Sequence, residues 1–76
     1  MNAKRRKRIQ DVLNKIDDLT SELESLMEEE QEAYDNLPES IQSAERGERM
    51  QEAIDNLQNA IDSFEEVTSS LESAIE

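Results

Sequence analysis

The side chains with chemistry to offer are carboxylates and hydroxyls, and neither kind has a partner to work with. Ser69, Ser70 and Ser73 are possible nucleophiles, but the chain contains no His and no Cys, so nothing stands ready to take their protons. Paired carboxylates can cleave glycosidic bonds, but only across a cleft, and a short helical chain has no room for one. Glu28, Glu29 and Glu32 offer loose attraction to divalent ions. No Asp-x-Asp-x-Asp-Gly loop is present, and the Glu-x-x-His pair of di-iron bundles is impossible without His. The sequence therefore predicts no enzyme, no catalytic, metal or cofactor-binding residues, and no small-molecule substrate.

Charge is the remaining resource. Twenty acidic and eight basic residues among 76 give a formal net charge of −12. The positive charge is concentrated in Lys4, Arg5, Arg6, Lys7 and Arg8. Five cations at a helix start oppose the helix dipole, so they call for compensation. An antiparallel neighbour would supply it through Glu65, Glu66, Glu72 and Glu76. The alternative is an anion or nucleic-acid patch, doubled in a dimer. No aromatic residue is interleaved to stack on bases, and the rest of the chain repels phosphate. The negative charge is densest in Glu28, Glu29, Glu30, Glu32 and Asp35, continued by Glu39, Glu45 and Glu48. Carboxylates at this density keep a helical surface hydrated; they would equally suit a basic groove on another protein, with fast and salt-sensitive association. Tyr34 is the best aromatic anchor within that region. The candidate partner surface is thus Glu28, Glu29, Glu32, Tyr34, Asp35, Glu39, Arg46 and Glu48.

These charges need a scaffold, and the apolar residues describe one. Only 34% of residues are hydrophobic while 37% are charged, a balance close to that of disordered chains; their regular spacing argues for order instead. Ile9, Ile16, Leu23 and Leu37 fall seven apart or in multiples of seven at a positions, with Glu30 the single interruption. Val12, Leu19, Leu26 and Ala33 take the d positions, and Leu13, Met27 and Tyr34 widen the stripe at e. After the break, Met50, Leu57, Phe64 and Leu71 form one column and Ala53, Ala60, Val67 and Ala74 the next. Ile54, Ile61 and Ile75 broaden that stripe, with Thr68 its polar exception. Such spacing is that of amphipathic helices.

Pro38 divides them. It disfavours helix at Leu37 and lacks a donor, so the first helix is expected over about residues 3–35, the turn over 36–43 and the second helix over about 44–75. Asn36 suits a left-handed closing conformation, and Pro38 with Glu39 suits a short helical start. Gly47 costs a helix about 1 kcal/mol relative to alanine, so a kink near 47 or a fresh start capped by Ser43 is expected. The short connection predicts an all-α, antiparallel, coiled-coil-like two-helix hairpin in one domain. Chain reversal would bring Glu30 near Arg49, a contact that would relieve the polar break in the seam. Stripes three columns wide exceed what a lone pair covers, so two hairpins are expected to dimerise into a four-helix bundle. No apolar run exceeds two residues, which gives no membrane span and no signal-peptide core behind the basic N-terminus.

The stretch Glu29-Glu30-Gln31-Glu32-Ala33-Tyr34-Asp35-Asn36-Leu37-Pro38-Glu39-Ser40, followed by Glu45-Arg46-Gly47-Glu48, resembles short acidic helical proteins of Firmicutes phages and prophages. These also begin with a Lys/Arg cluster and end in a repeating Ala-Ile-Asp-x-Leu helix. No activity is assigned to that family, so the resemblance implies context alone: an accessory protein in a bacterial cytoplasm, with inhibition of a host enzyme or defence system as the expected role. The hairpin is also similar in architecture to the Rop-type RNA-binding dimer, whose function the acidic surface disfavours. Three functions follow in order: a protein that captures a basic protein partner, a nucleic-acid-binding dimer, and a bundle with no target.

Overall fold

The computed structural model describes all 76 residues and is entirely helical, in the order α1 (Ala3–Asp35), α2 (Glu39–Gln42) and α3 (Glu45–Ala74). Asn2 starts α1. Its Oδ1 accepts the Arg5 backbone N–H at 2.8 Å, satisfying one of the donors that every helix N-terminus leaves open. The 33 residues of α1 and 30 of α3 pack along one another in a body measuring 58 × 15 × 12 Å between α-carbons. Gln10 and Asp17 share a groove with Thr68 and Glu72, while Glu28 and Gln31 share one with Asp55 and Gln58. Early residues of α1 therefore lie level with late residues of α3, and the two helices run in opposite directions.

Between them the chain turns without any left-handed residue. Asn36 stays in the right-handed helical region, at φ −83° and ψ −5°, rather than adopting the left-handed closure its type suggests. Two other devices close α1. The Leu37 N–H donates to the Tyr34 carbonyl at 3.0 Å. The Gln42 side-chain amide then donates to the carbonyls of Tyr34 at 3.2 Å and Leu37 at 3.1 Å. A side chain on α2 thus adds a second donor to the Tyr34 carbonyl and supplies one to the Leu37 carbonyl just beyond the end of α1.

The start of α3 also differs from expectation. Ser43 does not cap it; its hydroxyl donates back to the Glu39 carbonyl at 3.3 Å, and Ala44 holds the cap position with no side-chain bond. Nor does Gly47 kink a continuous helix, because α3 begins anew at Glu45 and Gly47 lies inside its first turns. Gly47 is buried because the end of α2 presses on it. A β-carbon there would overlap the Gln42 carbonyl group and lie 2.7 Å from the Gln42 α-carbon. Only glycine allows two backbones to approach so closely.

The interface between the long helices uses two of the three apolar columns of α1. Leu13 and Ile16 are buried, Ile9, Leu23, Met27 and Tyr34 are partly covered, and opposite them Ile61 is the most enclosed side chain at 3% exposure. These are the a and e columns. The d column stands outside: Val12 is 44%, Leu19 46% and Leu26 52% exposed, and Val67 on α3 is 44% exposed. At 100° per residue the d column points about 80° away from the middle of the a/e seam. Antiparallel helices rotate in opposite senses when viewed from one end, so the d column of α1 and the Ala53–Ala60–Val67–Ala74 column of α3 emerge on the same broad side. The opposite broad side carries Gln10, Asp17, Glu24 and Gln31 beside Gln51, Gln58, Glu65 and Glu72. One side is apolar; the other is wholly polar.

Candidate functional site

Exposure and charge, rather than a cavity, define what the molecule can offer a partner. Of the eight residues of the candidate partner surface, Glu28, Glu29, Glu32, Asp35, Glu39, Arg46 and Glu48 are exposed, and Tyr34 is half-covered at the edge of the seam. They do not share one face. Helical spacing sends Glu28, Glu32 and Asp35 to the outer flank of α1 and Glu29 to the rim of the apolar side. Glu39 sits in the first turn of α2, whereas Arg46 and Glu48 belong to the opening turns of α3. They form a collar around the turn end of the molecule. Tyr34 joins the collar to the closed end of α1, since its carbonyl is one of the two that Gln42 holds.

Ion pairing leaves this collar almost untouched. Arg49 pairs with Glu45, one turn earlier in α3 and exposed like it, and this is the only salt bridge in the chain. The expected Glu30–Arg49 pair does not form, because Arg49 is engaged within its own helix. Glu30 does line a shallow groove with Glu45, Arg46, Arg49 and Met50, which softens the polar break in the seam without a direct bond. Glu28 and Glu29 each neighbour Glu32 along the helix, but no three acidic residues gather where they could hold a metal ion.

At the other end, Lys4, Arg5, Arg6, Lys7 and Arg8 all lie on α1 and are exposed. None is in ion-pairing range of Glu65, Glu66, Glu72 or Glu76. The compensation expected from the neighbouring helix is therefore absent as direct contacts. For Arg5 and Arg8 the separation is angular: they border the apolar side, while Glu65 and Glu72 project to the polar one. Met1, Arg5, Arg8, Ile9 and Val12 line a common groove there, so the cations and the exposed apolar column adjoin. No helix is long and apolar enough to cross a membrane.

Two contributors escaped sequence reasoning. Gln42 carries no capping signature, as its role depends on where α2 is set down. The close approach at Gly47 was visible only as a weakness in the helix. No protein-family profile, no curated protein and no solved structure matches this chain.

Proposed function

We propose that the chain is a non-enzymatic interaction protein that captures a protein with a basic surface, using the acidic collar at its turn end. In this reading the helix pair is a hairpin scaffold, and two hairpins assemble into a homodimeric four-helix bundle. The observation that carries the reading is a dense set of exposed carboxylates, only Glu45 among them ion-paired, mounted on a turn braced by Gln42 and Gly47. Chain reversal alone requires no such bracing. Uncompensated like charge is costly to hold together, and a basic partner would relieve it. The resemblance to acidic phage proteins supplies the context, an accessory protein acting on a host enzyme or defence system in a bacterial cytoplasm.

The test is affinity capture from a bacterial host lysate at low salt. One dominant basic protein should be retained and released as salt rises. Substituting Tyr34, Glu39 and Arg46 together should abolish capture while helicity and oligomeric state persist; retained capture would sink the reading. A second reading rests on the unpaired cations Lys4–Arg8, which would bind nucleic acid. A mobility shift with labelled RNA or DNA that Arg5→Ala/Lys7→Ala removes would favour it.

A further inference from the structure

The broad apolar side has one occupant that its pattern fits, a second copy of this chain, and the charges along its rim select how that copy lies. We propose that two molecules stack through their apolar sides with their turn ends pointing in opposite directions, so that α1 crosses α1 of the second copy antiparallel about Leu19. This rests on the homodimer reading above and adds the seam and the polarity.

The apolar side measures 58 Å by 15 Å between α-carbons, on the order of 900 Å² in projection. A stable interface buries about 800 Å² per partner, so one copy laid along the full length suffices. The columns also match in register. With Leu19 on the two-fold axis, Val12 meets Leu26 of the second copy and Leu26 meets its Val12. On α3 the same operation sets Ala60 near Val67 and Ala53 near Ala74, each pair holding at least one alanine, which lets those helices approach closely. The a and d columns then both face the centre of four helices, as a bundle core requires.

Charge decides the polarity. The column of α1 bordering the apolar side reads Arg8, Lys15, Glu22 and Glu29: two cations followed by two carboxylates at seven-residue steps. None of the four is ion-paired within the chain. Antiparallel pairing about Leu19 places Arg8 beside Glu29 of the second copy and Lys15 beside its Glu22, twice over by symmetry. Arg5, on the d column itself, arrives over Ala33 of the second copy, where a small residue leaves room for its stem. Stacking with turn ends together would instead put both basic clusters at one end and both acidic collars at the other. It would face the α1 rim with Arg49, already paired with Glu45, and with Asn56, Ser63 and Ser70, which answer no charge. In the favoured arrangement Glu29 is drawn into the seam, while Glu28, Glu32 and Asp35 remain outward for a partner.

A single spin label tests this on the full chain, which has no native cysteine to confuse it. Ala3→Cys lies at the exposed end of α1. Opposed turn ends separate the two labels by roughly 48 Å along the axis, from about 32 residues at 1.5 Å each. Turn ends together bring them within roughly 25 Å. A long distance supports the inference. A short distance overturns the polarity while leaving the homodimer standing, and a monomer by sedimentation overturns both. Arg8→Glu/Lys15→Glu should raise the dissociation constant about tenfold or more at low salt. Adding Glu22→Lys/Glu29→Lys to it should restore affinity; failure of that rescue would contradict the pairing.

Discussion

The two broad sides of the helix pair share one backbone and differ only in which column of residues they present. On one, Gln10, Asp17, Glu24 and Gln31 meet water as a half-solvated helix should. On the other, Val12, Leu19, Leu26 and Val67 are each two-fifths to one-half exposed with nothing laid over them. A single exposed leucine needs no explanation, but a continuous column along a whole face does. The difference teaches that a lone helix pair uses only the a and e columns here. In the dimer proposed above, the d column belongs to a larger core to which each chain contributes one half.

The sharpest way to break the comparison is to make both sides polar. Leu19→Asp is expected to weaken self-association on the order of a thousandfold, since each of two copies loses about 1 kcal/mol from the burial of a half-exposed side chain and leaves a carboxylate in an apolar seam at a further cost of about 1–3 kcal/mol; a change confined to the polar side, Glu24→Gln, should leave the mass in solution unaltered. Sedimentation measures both. Next in size is the seam between the long helices. Ile61→Ala should cost about 3 kcal/mol in denaturant unfolding, as its side chain is 3% exposed. Loss below 1 kcal/mol would mean that this seam is not the main core.

The turn yields the smaller effects. Gly47→Ala gains about 1 kcal/mol of helix propensity, yet the new methyl meets the Gln42 backbone, so a net loss of roughly 1–2 kcal/mol is expected. A stabilised variant in thermal unfolding would show that α2 does not press on α3 in solution. Gln42→Ala frees the Leu37 carbonyl and removes one of two donors from that of Tyr34; it should cost about 1 kcal/mol, with amide exchange quickening first at the end of α1.

Much of this architecture could be read from residue spacing, because seven-residue apolar columns and a Leu37–Pro38 break impose helices and an interruption by local sterics alone. Which columns would face inward could not. A stripe built on Ile9, Val12 and Leu13 can pair through a and d or through a and e, and the choice depends on how the turn sets the two helices down. That same dependence hid Gln42, whose amide reaches Leu37 only once α2 is placed. It also misdirected three expectations. Asn36 can turn left-handed but is not required to when Gln42 closes the helix. Ser43 bonds backwards into α2 instead of forwards into α3. Arg49 finds Glu45 within its own helix at less entropic cost than it would find Glu30 across the seam. The acidic collar was visible as composition, whereas its spread around the turn end needed the geometry.

The central claim is that a second chain completes the core. Thermal unfolding of the unaltered protein, followed by helicity across a hundredfold range of concentration, tests it most directly. If folding and association are coupled, the midpoint rises steadily with concentration. A midpoint independent of concentration, in a chain that is fully helical and sediments as a single copy, would contradict the account.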